Sequence, residues 1–435
     1  MQFDNKRLLI LGGNPETGAL VRHANNLGVH TIVIDPNPNA IAKKFAKESY
    51  DIEVMDIEKL YNKANTLNLD GVLVGVADIL VASYFHLCSK LKFPCYATEN
   101  AIQVFTSKNE FRNICELNDI NVIPYFKLDE KLNSEDIAKI QFPVLTKPVD
   151  NGAGVGMKVA FNEKELIDNV NFALSHSKCK EFQTEKYMSE CDDMLVYYTI
   201  SDGNVYLSAA ADRYTNKSQE VGSPVCIGSV YPSKYLNHFL DVVNQKMIKL
   251  IKSTKILNGV LNIQFFVDIH NNYYAYDPGF RLQGEAPHIY LNSISDFDNR
   301  SMLINFALTS STNEPYLNFK NDPFFKGKIA STVWVLLKHG KISNINGLDE
   351  IKNDNFIIEV IQRFIVGEIV ETEMLGTERQ VFARIYCVVN DKIEQKYIYE
   401  KIKQTLKIED EFGENMILDY MDVNKLYRHG NKFKR

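Results

Sequence analysis

A surplus of positive charge, a long apolar run and closely spaced cysteine pairs are all missing from this chain, and each gap removes a class of function. Lys and Arg number 49 against 55 Asp and Glu, a net charge of -6. Such a chain has no general attraction for phosphate backbones or anionic lipid, so no nucleic acid and no membrane partner is expected. The opening MQFDNKRLLILGG holds an apolar run too short for a secretory signal, and no later stretch reaches the ~20 residues of a membrane span. A cytoplasmic protein is the expectation. The seven cysteines, Cys88, Cys95, Cys115, Cys179, Cys191, Cys226 and Cys387, contain no C-x-x-C pair. That spacing suggests neither a disulfide framework nor a zinc site and fits a reducing compartment. Repeats at solenoid periods and low-complexity tracts are also absent.

What is present is core material. Of 435 residues 45% are apolar and 24% charged, enough for roughly two to four packed units. RLLIL at 7–11 runs into Gly12 and Gly13, a helical spacing follows through Leu20 and His23, and TIVID stands at 31–35. This predicts a βαβ opening. With GVLVGV at 71–76 and a further strand around Phe93 to Tyr96, the first hundred residues read as a doubly wound α/β unit with a parallel sheet. The middle of the chain reads as α+β: hairpins are predicted at 141–160, at 193–213 with a turn at Asp202-Gly203, and at 260–282 with a turn at Asn271-Asn272. From about residue 325, short strands with Gly340, Gly347, Gly367, Gly376 and Gly413 at turns predict a small strand-rich unit ending in a helix or two.

Four segments carry chemistry. GGNPETG at 12–18, with Asp35 about 20 residues on, approaches a dinucleotide fingerprint. The G-x-G-x-x-G spacing is absent and Pro15 stands where the helix should begin, so NAD is disfavoured. A plain βα turn, or a helix N-terminus that holds an anionic substrate, remains. In the second segment Lys147 precedes DNGAGVG, a strand lysine beside a turn whose N–H groups can face phosphate, although a flexible hairpin with a solvent-facing lysine has the same pattern. In the third, TEKYM at 184–188, Glu185 and the main chain of Lys186 and Met188 offer the acceptor and ring-edge groups that an adenine needs. An exposed strand-end glutamate is the plainer reading. In the fourth, Gln264 and Asp277 stand on facing strands where two side-chain oxygens can share a face, as Mg2+ requires, and Arg281, Gln283, Glu285 and His288 follow. Read alone, that stretch is a strand and an ordinary Asp-Pro-Gly turn.

Together, Lys108, Lys147, the glycine loop at 150–156, Glu185 with Lys186, and Asp277 with Arg281 stand in the order and spacing of the ATP-grasp superfamily, which this chain resembles over nearly its whole length. TSKNEFR at 106–112 looks like the family's S/T-K-x-x-x-R segment, FPVLTKPVDNGAGVGM like its second lysine and phosphate loop, and TEKYM like its adenine hinge. The likeness extends to biotin carboxylase, to the carbamoyl phosphate synthetase large subunit and, through GKISNINGLDEI and DEFGENM, to the amino-acid ligases of the carboxylate-amine branch.

The resemblance implies a pre-ATP-grasp unit at 1–104, an ATP-grasp unit at 105–312 with lobes 105–190 and 191–312, and a C-terminal α+β unit at 313–435. ATP is implied to be held by Lys108, Lys147, Gly152, Gly154, Gly156, Glu185, Lys186 and Met188, with Asp192 or Asp193 on the ribose. Mg2+, or Mn2+ in its place, falls to Gln264 and Asp277, and catalytic charge stabilisation to Arg281. Glu16, Arg213, Gln283 and Glu285 are the implied substrate contacts. The expected reaction forms a C–N bond between a small-molecule carboxylate and an amine through an acyl phosphate, with ADP and phosphate released, and a homodimer is the expected assembly. The alternatives are a bicarbonate- or carbamate-activating relative and a nucleotide-binding protein without turnover. One stretch departs from the family: where it has Glu on the first metal strand and E-x-N-x-R on the second, this chain has Gln264 and D-P-G-F-R at 277–281. A weaker metal site, or one completed by Glu285 or by substrate, is expected.

Overall fold

The computed structural model describes residues 3–129, 131–149, 156–216, 225–312 and 321–421. Four short parallel strands open it: β1 (Arg7–Leu11), β2 (His30–Ile34), β3 (Glu48–Tyr50) and β4 (Gly71–Val74), in the order β3-β2-β1-β4. Nearly every residue of β1, β2 and β4 is buried, as unbroken apolar strands are when both sheet faces are covered. The helix Asn299–Thr309, from far along the chain, lies so close to β4 that a Cβ on Gly71 would stand 2.4 Å from the Ala307 carbonyl oxygen.

The helix expected after Gly13 forms: Pro15, counted against a dinucleotide site, is the first residue of α1 (Pro15–Asn26), capped by Asn14, whose side chain accepts from Thr17 N–H. The first helical position needs no N–H donor and suits the fixed proline φ. The strand expected at 93–96 does not form: the helix Val81–Leu91 ends on a left-handed Lys92, Pro94 offers no donor, and Tyr96 packs edge-on against Phe280. The fourth strand is instead the polar Glu48–Tyr50 at the sheet's edge.

Next come the helix Lys108–Leu117 and a small antiparallel sheet ordered β5 (Tyr125–Phe126), β8 (Phe182–Lys186), β6 (Val144–Pro148), β7 (Lys158–Ala160). Residues 150–155 of the glycine loop between β6 and β7 lie outside the described residues. A second sheet holds the rest. Strands β9 (Asp192–Ser201), β10 (Asn204–Thr215), β11 (Cys226–Tyr231), β12 (Gly259–Val267), β13 (Tyr273–Gly279) and β14 (Ile329–Leu337) take the order β13-β12-β9-β10-β11-β14 and continue into Val381–Val389 and Ile357–Gln362. Ile417–Tyr420 also pairs with β14, so C-terminal strands extend the sheet that carries the central hairpins. Pro278 is accommodated because β13 is an edge strand.

The predicted turns are present, with positive φ at Asp202 and Gly203, at Asn271, and at Gly340, Gly347, Gly367, Gly376 and Gly413. The C-terminal part contains the helix Lys392–Thr405, followed by the strands Lys407–Glu409 and Ile417–Tyr420; residues 422–435, where a further helix is expected, lie outside the described residues. No helix among the described residues is long and apolar enough to cross a membrane.

Candidate active site

The first cluster stands on the small sheet. β6 and β8 pair so that Lys147 lies opposite Gln183, two residues from Glu185 on the same face. Lys147 Nζ donates to Glu185 Oε1 at 2.5 Å and Gln183 Nε2 to Glu185 Oε2 at 3.1 Å. Arg112, on the helix Lys108–Leu117, comes to 3.9 Å from Glu185 and stacks on Tyr125. Lys147 is 7% and Glu185 4% exposed, which excludes both the solvent-facing lysine and the exposed glutamate. With Lys108 and Tyr276 these residues line a pocket of about 10 Å³, room for about one water. The Lys186 N–H, one of the groups expected to face a base, already donates to Pro124 O at 2.8 Å, while Met188 is buried close by. Gly156 has φ +78°, and a Cβ there would stand 2.7 Å from Pro148 Cγ; Gly152 and Gly154 lie outside the described residues.

The second cluster faces the first from β12 and β13. Asp277 is paired across the strands with Gln264, as expected. Burial and the Asp78 carboxylate push the Asp277 carboxyl up, while Lys108, Lys147 and Arg281 draw it down. Arg281 is ion-paired with Asp78 of the N-terminal unit, which the sequence reading did not single out.

The Gln264 amide oxygen, however, accepts from Arg213 Nη1 at 3.1 Å. Arg213 also bonds Asp193 at 2.7 Å and Glu285 at 2.8 Å, and the Tyr276 hydroxyl donates to Asp193 at 3.0 Å. Asp193, the expected ribose ligand, is therefore tied to the expected substrate residues. Burial lifts its pKa to about 6, with the Glu285 charge adding to the rise and Arg213 opposing it. Asp192 bonds outward instead, to Lys234 and the Tyr235 hydroxyl, both at 2.6 Å.

A third cluster closes the far side. Glu16, in the first turn of α1, accepts from Arg363 at 2.8 Å and from Arg384 at 2.7 Å. Arg384, 1% exposed and stacked on Trp334, also donates to Gly284 O at 2.5 Å. Neither arginine carried a motif signal, because each takes its meaning from a partner more than 340 positions away.

Among the described residues, several buried polar atoms of this region have no hydrogen-bond partner: Asp78 Oδ1, Gln183 Oε1, Arg281 Nε, Gln283 Oε1 and Glu285 Oε2; His288 Nδ1 is also unpartnered but lies against Asp298 and Arg300. Unmet buried donors and acceptors are rare in a finished core and fit a cleft that takes a polar ligand. The residues around Asp277 thus fit a nucleotide phosphate chain with its cation.

Residues 107–289 match the family described as "Carbamoyl-phosphate synthase L chain, ATP binding domain". The carbamoyl phosphate synthase large chain of Clostridium botulinum is 21% identical over 322 residues, 69% of this chain and 29% of that protein. This chain therefore spans under a third of the length of that curated relative. The crystal structure of an L-amino acid ligase from Bacillus licheniformis superposes with a TM-score of 0.75 at 16% identity, covering 94% of this chain and 100% of that one. That of phosphoribosylglycinamide synthetase from Anaerococcus prevotii gives 0.72 at 19%, again over 94% and 100%. In motif order, in the matched ATP-binding segment and in fold along most of its length, the chain resembles the ATP-grasp superfamily.

Proposed function

We propose that this chain is an ATP-dependent carboxylate-amine ligase: it activates a carboxylate as an acyl phosphate, releases ADP and phosphate, and passes the acyl group to an amine. The observation that carries the reading is the buried cleft that Lys108, Lys147 and Glu185 line beside Tyr276 of β13, next to Asp277, within the segment that matches an ATP-binding family. Cations fixed in a buried cleft stabilise a transferring phosphoryl group without reorganisation at the moment of reaction. Asp277 would hold Mg2+, which would neutralise phosphate charge when bound. Lys108 and Lys147 bind phosphate oxygens, and Glu185, Lys186 and Met188 flank the base. Arg281 holds the transferring group and then the tetrahedral oxyanion. Glu285 Oε2, a buried acceptor with no donor among the described residues, takes a proton from the incoming amine.

The test is phosphate release from Mg-ATP with pooled carboxylates and pooled amines, which should require one member of each pool. The relative named as a carbamoyl phosphate synthase large chain supports one further reading, a one-carbon acid such as bicarbonate or carbamate in place of the carboxylate. ADP formation that depends on bicarbonate alone would select it. ATP binding without phosphate release under every mixture would leave a nucleotide-binding protein and remove the ligase.

A further inference from the structure

On the face of β12 and β13 that carries Asp277, Asn262 stands opposite Gly279 and Gln264 opposite Asp277. Residues two apart on a strand share a face, so these four positions form one patch. Three of them bring no available anionic oxygen. Gly279 has no side chain, Asn262 Nδ2 donates to Gly279 O at 2.8 Å, and the Gln264 oxygen is taken by Arg213. Asp277 alone would be a poor seat for a divalent cation.

The space above Gly279 is filled from another part of the chain. A Cβ at residue 279 would lie 3.1 Å from Asp78 Oδ1, beside Asn262 Nδ2 at 2.7 Å. Asp78 belongs to the short 3-10 turn Asp78–Leu80 after β4. Its Oδ2 bonds Arg281, whereas its Oδ1 is buried and accepts no hydrogen bond among the described residues. The Asp78 side chain is 42% exposed and Arg281 pairs its Oδ2, so it is Oδ1 alone, buried and unpartnered, that is left to meet a cation or a donor.

We infer that Asp78 is the second protein carboxylate on the cation bound by Asp277, its Oδ1 occupying the place where a side chain at 279 would otherwise supply the ligand. The inference rests on the reading of this cleft as a nucleotide site. Mg2+ prefers one or two carboxylates with the remaining positions given to phosphate and water, and Asp277 with Asp78 provides that pair. The ligand comes from outside the matched segment 107–289, so cation binding ties the N-terminal unit to the nucleotide.

Crystals of the full chain soaked with Mn2+ and ADP should show an anomalous peak within about 2.3 Å of oxygens from both Asp277 and Asp78. In solution, Asp78→Asn should raise the Mn2+ concentration for half-saturation, followed by electron paramagnetic resonance at fixed ADP, by about tenfold. ADP affinity without cation should stay unchanged, and Asp78→Glu should keep most of the cation affinity. A peak on Asp277 that leaves Asp78 out, or an unaltered Mn2+ titration, overturns this assignment alone. So does loss of cation-free ADP affinity in Asp78→Asn, which would make Asp78 a positioning residue for Arg281. No cation at Asp277 would overturn the reading of the site itself. Should Asp78→Asn fail to fold, the anomalous peak in the unaltered protein decides.

Discussion

Lys147 and Glu185 hold each other in a pocket that excludes nearly all solvent, so neither can be removed without leaving its partner's charge to the remaining neighbours. Lys147→Ala leaves Glu185 with Arg112 and Gln183 as partners, and the chain should still fold. Its nucleotide affinity should fall by about 1.5–3 kcal/mol, the worth of one charge-assisted contact. Calorimetry with Mg-ATP checks this, and unchanged affinity would remove the lysine from the phosphate site. Asp193 sets a pH dependence of the opposite kind to the usual carboxylate. Its pKa rises from 3.8 to about 6 on folding, chiefly through burial, so the folded chain holds this proton more tightly than the unfolded one. Its contribution to stability is greatest below about pH 4, declines as pH rises towards 6, and is level above that. Asp212 is buried and raised to about 6 in the same way. His23 and His288, buried and lowered to about 4 and about 3, act in the opposite sense over that range; Asp193→Asn should therefore shift the slope of urea midpoint against pH between about 4 and 6 in the positive direction, and an unchanged slope would contradict the shift. At this scale the sequence made Lys147, Glu185 and Asp277 legible because each sits inside a short local pattern. Asp78 was hidden, since the residue that gives it a role lies 203 positions on.

Strands with alternating or continuous apolar residues were readable as elements, and so were their turns, because glycine or asparagine with positive φ marks the reversal directly. The misread elements had no such signal. Glu48–Tyr50 is polar and becomes a strand only because β2 offers it an edge, whereas FPCY is apolar and finds no edge to join. At Gly156, where the chain re-enters the small sheet after the glycine loop, two constraints coincide: a left-handed φ, and neighbours at 2.7 Å and 2.9 Å from any added Cβ. Gly156→Ala should lower stability by about 1–3 kcal/mol and misdirect the return to β7. Thermal unfolding measures the first effect. A melting temperature equal to the parent's would mean that the turn relaxes freely.

The three successive stretches of chain meet at one short segment, Gly279 to Glu285. Asp78 reaches it from the N-terminal unit through Arg281, and Arg384 reaches it from the C-terminal strands through Gly284 O while holding Glu16. Burial alone would raise the Glu16 carboxyl, but Arg363 and Arg384 hold it below its ordinary value. The contribution of this cluster is therefore present above about pH 4.5 and lost as acid takes the pH below it.

The continuity of the large sheet bears on how the protein can be handled. β11 spends its outer edge on β14, with Gly228 opposite Val333 and Tyr231 opposite Ala330. A chain ended after residue 312 would keep every residue singled out around Asp277 but bare that edge, along with the buried faces of Cys226 and Ile227. Open apolar edges recruit strands from other molecules. Such a truncated form should aggregate on expression, and a monomeric, nucleotide-binding fragment by light scattering would refute this. A mutational library or a split-protein reporter should therefore not be cut at the boundary between the ATP-binding and C-terminal segments.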